Sequence, residues 1–317
     1  MKLNEQRYVH LAALDTLEEG LRAAFTAGGG TVLRPQADLL HLVEAEGDTY
    51  LCAVPIPAAA QRQEHARADC LMTMTALLKH HPRLTDEQIN ACNRYTALSH
   101  VSRPDGQQHV AAINSFPVFD DPQQRSVAFY LGLQTAVLQR SWLSQVLASL
   151  ADDFRCAVPV LDAQSAHLPS RWGDAELELM FAEVTQACYR ARQPDPHGIV
   201  IHLSKPSGRG QGSFVIVRND LEHPFYGNGL SITLALPEEF GVSREQLERR
   251  ALEWNRREAR SILPTPCIGA WSSMLGRSQM QHQCFLPNLI YAPGLGQYAL
   301  GSTLDRWAAC DQEGERV

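Results

Sequence analysis

One local pattern occurs twice in this chain of 317 residues, and it constrains the fold more than any other feature. A β-rich run that begins at Thr73 is followed by Thr85, and a run that begins at Ser231 is followed at the same distance by Ser243. Each hydroxyl can accept a hydrogen bond from the backbone N–H three residues on, where a glutamine reaches back to the cap. The repeat predicts a duplicated module with a capped central helix.

Both capped helices also carry an Asn-Arg pair, Asn93-Arg94 in the first and Asn255-Arg256 in the second. The second helix needs one extra turn to reach its pair. The alternative explanation is that two unrelated amphipathic helices share a common capping chemistry, because capping boxes are widespread. The same motif after the same kind of strand favours duplication.

The two halves also share an order of predicted elements. Each half opens with a helix predicted from apolar residues at helical spacing, over residues 5–27 and 174–191. Next come two apolar runs joined by a turn, and then a third strand that leads to the capped helix. Two more strands and a closing helix follow the capped helix. We therefore predict an α+β fold of two repeated modules, each an antiparallel sheet with helices packed on it, in the order α-β-β-β-α-β-β-α.

The boundaries of these units come from composition and periodicity. We predict a first module at 1–151, a linker at 152–170 where Pro, Ser and Asp interrupt any period, and a second module at 171–317. Hairpin strands after the capped helices are predicted at 110–113 with 127–131 and at 268–275 with 280–285. The closing helix of the first half is predicted near 138–150, and that of the second half near 300–307.

Charge and hydropathy limit the class of protein. A net charge of -7 argues against a surface that neutralises phosphates, so we expect no direct contact with nucleic acid. The sequence has no run of eighteen apolar residues and turns polar at its start, which predicts a cytoplasmic protein with no membrane contact. Its eight cysteines form no C-x-x-C pair, which favours free thiols over a disulfide framework.

The order of elements, with a central helix that carries Trp254-Asn255-Arg256 and leads into an apolar hairpin, resembles the YbjN family. That family shares its fold with the small chaperones of type III secretion. This chain is twice as long as a single family member, so the resemblance implies two fused modules in tandem. It further implies a chaperone-like or adaptor protein that binds and stabilises a partner protein without catalysis, and that forms homodimers or, after fusion, an internal pseudo-dimer.

Catalytic signatures are missing from the sequence. It has no H-E-x-x-H, G-x-x-x-x-G-K-[ST], G-x-S-x-G or EF-hand pattern. The glycine-rich loop at 208–212 joins two predicted strands, whereas a phosphate-binding loop runs from a strand into a helix. We therefore expect no enzyme activity, no cofactor and no metal, and we expect the partner to be another protein, such as one that handles nucleic acid.

Five residues are candidates for contact with that partner. Arg249, Arg256 and Arg260 lie on the second capped helix and could offer a basic strip to an acidic protein, although alternating charges there also fit a solvated face. Trp172 and Tyr226 are aromatic candidates for the same role, and burial in the core is their alternative.

A different class of function stays open at this stage. An enzyme or small-ligand sensor could place its site in the cleft between the modules, because polar residues stand near predicted strand ends. His197, His202 and Cys267 are the residues that such a site would use.

Overall fold

Two antiparallel sheets and the helices packed on them form the fold that the computed structural model describes. The described residues are 31–36, 39–44, 47–55, 68–77, 84–96, 98–103, 110–119, 169–203, 212–223, 226–237, 241–259, 268–274, 276–291 and 293–314. The predicted α+β class is therefore confirmed. No helix in these ranges has the length and apolar character needed to cross a membrane.

The first sheet has six strands, with a helix between the fourth and the fifth. Its elements are β1 (Thr31–Gln36), β2 (Leu39–Glu44), β3 (Gly47–Pro55), β4 (Ala68–Leu77), α1 (Asp86–Tyr95), β5 (His100–Ser102) and β6 (Ala111–Phe119). The strands lie in the order β1-β2-β3-β4-β6-β5, and every neighbouring pair is antiparallel.

The strands of the second sheet follow the same order. One helix precedes them in the sequence and another follows them. Its elements are α2 (Asp174–Gln186), β7 (Arg190–Asp195), β8 (Gly198–Leu203), β9 (Ser213–Arg218), β10 (Glu222–His223), β11 (Gly227–Ala235), α3 (Arg244–Ala259), β12 (Ala270–Ser273), β13 (Met280–Pro287), a short 3-10 helix (Asn288–Ile290) and α4 (Leu295–Gly314). Its order is β7-β8-β9-β11-β13-β12, and β10 pairs with β11 alone.

The pairing registers of the two sheets agree strand by strand. One row of paired residues crosses the first sheet through Val32, Leu42, Thr49, Ala76, Ala112 and Val101. The corresponding row crosses the second sheet through Ala191, Ile201, Val215, Leu234, His282 and Trp271. The two sheets thus share both strand order and register.

Each sheet begins with an edge strand that the sequence analysis misses. Four strands, not three, precede α1, and the second half adds both β7 and the short β10 before α3. Pro35 and Pro194 occupy the fifth position of β1 and β7, and both strands lose register beside the proline. Proline cannot donate to a ladder, so edge strands and bulges are where sheets tolerate it. The prolines and bulges also hinder pairing with a further strand.

The strand pair after the first capped helix also differs from the prediction. β6 begins at Ala111, within the predicted strand 110–113, and it pairs with β4 and with β5, a strand that was not predicted. Residues 127–131 lie outside the described part of the chain, as do the helices predicted at 5–27 and 138–150 and most of the linker. In the second half, α2 ends at Gln186 instead of 191 because β7 begins at Arg190. The domain boundaries stay a prediction.

Helices α2 and α4 cover one face of the second sheet. The side chains of Ile201 and Val215 point to that face and are fully buried, and they share a core cluster with Met180 of α2 and Leu300 of α4. Gly296 lets α4 pack closely against α2 and the sheet, since a Cβ there would lie only 3.0 Å from Met180 Cε and 3.1 Å from both Leu230 and Trp172. The core therefore lies between these helices and the sheet.

Candidate functional site

The capping boxes predicted from the repeat are confirmed at both helices. At α1, Thr85 Oγ1 accepts from the backbone N–H of Gln88 at 3.2 Å, and Gln88 Oε1 accepts from the N–H of Thr85 at 2.8 Å. At α3 the same two bonds join Ser243 and Gln246 at 3.3 and 2.9 Å. Four otherwise unpaired backbone or side-chain groups are thus satisfied at each helix start in the same way.

The asparagine of each Asn-Arg pair binds the edge strand of its own sheet. Asn93 Nδ2 donates to the carbonyl of Val101 at 3.0 Å, and its Oδ1 accepts from the N–H of Val101 at 2.7 Å. Asn255 makes the same two bonds with Trp271, both at 2.9 Å. We call these two arrangements the asparagine clamps. Each side-chain amide takes the place of a neighbouring strand and satisfies the backbone of the outermost one.

Replacing Asn255 with alanine is expected to lower the free energy of unfolding by about 2–3 kcal/mol, because the N–H and carbonyl of Trp271 would be left buried without partners. Asn93→Ala should cost a similar amount through Val101. Urea unfolding followed by circular dichroism measures both. A loss below about 0.5 kcal/mol, as for an ordinary surface substitution, would contradict the clamp.

The two central helices also join the halves to each other. Helix α1 contacts both β5 and β12, and α3 contacts both β12 and β5. Among the described residues, hydrogen bonds join the halves from Asn90 Nδ2 to the carbonyl of Glu248 at 3.2 Å and from the N–H of Gly269 to the carbonyl of Leu98 at 3.1 Å. In this contact, α1 and β5 of the first half pack against α3 and β12 of the second half. We call it the seam.

Apolar and charged side chains complete the seam. Ala259 of α3 packs against Ala111 and Ile113 of β6, on the face of the first sheet opposite to Ala112. Near the start of α3, the carboxylate of Glu248 lies 2.8 Å from Arg244 of the same helix and 3.8 Å from Arg94 of α1. Each central helix thus lies between the two sheets, and the core is continuous across the seam.

A buried ion pair in the second half joins α4 to α3, one of the helices of the seam. Arg306 of α4 donates from Nε and Nη2 to the two carboxylate oxygens of Glu258, at 2.9 and 2.8 Å. Glu258 Oε1 also accepts from Trp271 Nε1 at 2.8 Å, and Arg306 Nη1 donates to the carbonyl and hydroxyl of Ser302. Glu258 is 1% exposed and Arg306 is 0% exposed. The geometry is bidentate and every charge has a partner.

Three histidines gather around the same junction. His100 of β5 and His282 of β13 are fully buried, and neither ring nitrogen of His100 has a hydrogen-bond partner among the described residues. Burial lowers the pKa of His100 to about 4, with Arg306 acting in the same direction and Glu258 against it. Burial, Arg306 and His100 hold the pKa of His282 well below its usual value. His223 of β10 is near the carbonyl of Tyr95 across the seam, and burial lowers its pKa to about 4.

The two aromatic candidates for partner contact are buried. Trp172 is 0% exposed and packs edge-on against Tyr291, with ring centroids 5.2 Å apart. Tyr226 is 8% exposed, beside the ring of His223. Core packing, the alternative considered for both, is what the structure gives them, so neither presents a surface to a partner. Sequence spacing could not reveal this, because both residues lie in loops.

The basic candidates on α3 are separated by their surroundings. Arg249 is exposed, while Arg256 is half-buried and donates from Nη1 to Glu253 at 2.9 Å. Arg257 also reaches Glu253, at 3.4 Å, as the four-residue spacing predicts. Arg260 lies outside the described residues. The helix is therefore a partly neutralised face on which Arg249 is the most accessible of the candidate arginines that the structure describes.

The two described histidines of the alternative ligand site lie on the β7–β8 hairpin, away from the seam. His197 lies in the turn between β7 and β8 and His202 on β8, both exposed, and Cys267 lies outside the described residues. A cleft of about 260 Å³ does open near that turn, and its lining comes wholly from the second half: Asp174, Glu178, Gln193, Asp195 and Pro196. In the described ranges no group of three or more His, Cys, Asp or Glu side chains could hold a metal ion.

Comparisons with protein-family models, with curated proteins and with solved structures found no match to this chain. The interpretation of the seam and of the sheet surfaces therefore depends on their geometry.

Proposed function

We propose that this chain is a non-catalytic, chaperone-like or adaptor protein that binds and stabilises another protein, built from two copies of one module that pair within the chain. The observation that carries the proposal is the match between the two sheets in strand order, register, edge bulge, capping box and asparagine clamp. Five shared features at equivalent places favour a copied unit over two unrelated ones.

The seam supports the pairing within the chain. Each central helix contacts the edge strand of its own sheet and that of the other sheet, which is the arrangement of a dimer whose subunits exchange equivalent contacts. Placing both partners on one chain raises their effective concentration for each other. The pairing surface is then occupied internally, and the outer surfaces of the sheets are left for partners.

The resemblance to the YbjN family and to the chaperones of type III secretion supports the same proposal. The second half has the order helix, strands, helix, two strands, helix that the resemblance implies, with an edge strand added before the first hairpin. Such a scaffold acts by presenting a sheet face, a strand edge or an apolar groove to another protein.

The full chain, tagged and purified, tests the proposed function by capture of partners from lysate of its source cells. We expect one or a few proteins to be retained specifically after washing at physiological salt, and to be stabilised in a thermal shift experiment with the purified pair. An unrelated acidic protein with the same tag is the control. Retention of the same proteins by both baits, or of none by the chain, would refute the proposed function.

The basic candidates on α3 can be tested in the same experiment. Arg249→Ala removes an exposed charge without touching an ion pair that the structure describes, so it leaves the helix intact. If this helix holds the partner, the variant should retain several-fold less of it, as expected for the loss of one contact of about 1 kcal/mol. Equal retention would remove Arg249 from the partner surface.

A further inference from the structure

The second sheet has a face that α2 and α4 do not cover. On this face two rows of residues run across the strands, as the register places them. One row is Arg192, Val200, Ile216, Thr233, Gln283 and Ala270, and the other is Arg190, His202, Phe214, Ala235, Gln281 and Ser272. We call the part of the two rows on β7, β8, β9 and β11 the open face.

The inner end of both rows is already covered. Ala270 and Ser272 of β12 are buried at the seam, where α1 contacts β12. Ala235 of β11 is buried as well, so the accessible part reaches β9 in one row and Thr233 of β11 in the other. At about 4.8 Å between neighbouring strands it spans about 10–14 Å. One α-helix, which with its side chains is about 10–12 Å wide, fits that width.

The centre of the open face is apolar. Val200, Phe214 and Ile216 lie on neighbouring strands and are half-buried. The residues between them along the same strands point to the other face and are fully buried. A solvated face of an antiparallel sheet usually carries polar residues at such positions. Three large apolar side chains on adjacent strands form a contiguous patch of the kind that proteins use for contact.

The outer edge of the open face is basic, and its charges are not neutralised. Arg190 and Arg192 of β7 are exposed and form no ion pair with any residue in the ranges the structure describes. Arg218, the next cation along the sheet, differs because it crosses β8 at Gly198 to bind Asp195 at 2.7 Å and also binds Asp220. No carboxylate belongs to the two rows. Arg218 thus neutralises Asp195 and Asp220, so Arg190 and Arg192 are the charges of the two rows, while Asp174 and Glu178 line the cleft at the end of β7.

We propose that the open face is the docking surface for the partner protein, and that it takes an amphipathic helix whose apolar stripe is flanked by carboxylates. This inference rests on the proposed function and adds the place and chemistry of contact. The apolar stripe covers Val200, Phe214 and Ile216, and the carboxylates pair with Arg190 and Arg192. An amphipathic helix fits because α2 and α4 cover the opposite face of the same sheet in this way.

A nucleic acid fits the open face less well. Two unpaired arginines give a small electrostatic footprint, since binding to a nucleic acid draws its affinity from many neutralised phosphates. Bases also need aromatic side chains on which to stack, and the two rows offer only Phe214 and the smaller ring of His202. The charge of the chain as a whole is repulsive to phosphate.

Synthetic helical peptides of about eighteen residues test the proposal with the full chain. The probe carries a leucine stripe flanked by glutamates, and its counterpart carries lysines in place of the glutamates. We expect the glutamate peptide to bind, by fluorescence anisotropy, at least tenfold more tightly than the lysine peptide. The double variant R190E/R192E should lose at least tenfold in affinity for the glutamate peptide and gain affinity for the lysine peptide.

Three controls make the result specific. Arg277→Glu, in the exposed turn between β12 and β13, has the same charge change per residue as Arg192→Glu and should leave peptide affinity unchanged. Ile216→Thr should lower the affinity for the glutamate peptide, and the glutamate peptide should still bind more tightly than the lysine peptide. Circular dichroism and urea unfolding verify that each variant is folded.

Several outcomes would overturn the proposal: equal binding of the two peptides, equal effects of R192E and R277E, or tighter binding of a single-stranded oligonucleotide than of the glutamate peptide. Capture from lysate separates this inference from the proposed function. A specific partner retained equally by the native chain and by R190E/R192E refutes the open face alone, whereas the absence of any specific partner and of peptide binding refutes both.

Discussion

Replacing Glu258 with alanine is expected to lower the free energy of unfolding by about 3–5 kcal/mol. The loss is large because Arg306, 0% exposed, would lose its bidentate carboxylate partner, and Trp271 Nε1 would lose its acceptor. Urea unfolding at pH 7 measures the change. At this magnitude one substitution removes a large share of the stability of an ordinary domain.

A second variant distinguishes the ion pair from simple loss of packing. Glu258→Met combined with Arg306→Met removes both charges while keeping much of the volume, and we expect it to cost clearly less than Glu258→Ala alone. If the double variant is as unstable as the single one, the cost lies in the shape of the site and not in the unpaired guanidinium. A loss below about 1 kcal/mol for Glu258→Ala would show that Arg306 finds another partner.

Acid is expected to destabilise the protein in the window between about pH 6.5 and pH 4. The unfolded chain binds protons on histidine at about pH 6.5, whereas burial lowers the pKa of His100 and of His223 to about 4 in the folded protein. Above pH 6.5 both states hold neutral imidazole, so the full stability is present. As the pH falls below 6.5 the unfolded state gains protons that the folded state cannot bind, and stability falls.

His100 alone should account for up to about 3 kcal/mol of that loss, since each unit of pKa difference is worth about 1.4 kcal/mol. His100→Leu removes the titrating group, so the drop in unfolding free energy between pH 7 and pH 4.5 should shrink by up to this amount. His197→Gln, in an exposed turn, is the matched control and should leave the drop unchanged. Equal drops in the native protein and in His100→Leu would place the acid sensitivity elsewhere, for example in carboxylates.

Local signals in the sequence predicted the parts of the fold that depend on local chemistry. The capping boxes at Thr85 and Ser243 specify where α1 and α3 begin, because cap and helix lie within four residues of each other. The α+β class followed from the periods of the apolar residues. The edge strands β1 and β7 were missed because each contains a proline and neither sequence has the alternation of apolar and polar residues that marks a strand.

Long-range features could not be read from one sequence. The Asn-Arg pairs were visible, but the clamp depends on a strand eight residues away from Asn93 and sixteen away from Asn255. The seam and the cluster around Glu258 combine side chains from β5, α3, β12 and α4, whose proximity only the fold creates. Trp172 and Tyr226 were offered as partner contacts for the same reason, since an aromatic residue in a loop gives no sign of its burial.

The seam between α1 with β5 and α3 with β12 has a consequence for symmetry. In a symmetric dimer of two identical chains, every contact of the seam would occur twice. A buried histidine such as His282, and the Glu258–Arg306 ion pair, would then be present in both subunits. If the two halves are copies of one module, as proposed, their matched positions are free to differ on one chain: Trp271 takes the place that Val101 has in the first sheet, and His282 the place of Ala112. Glu258 and Arg306 both belong to the second half. On this proposal, covalent continuity lets one half specialise in internal anchoring while the other half changes independently.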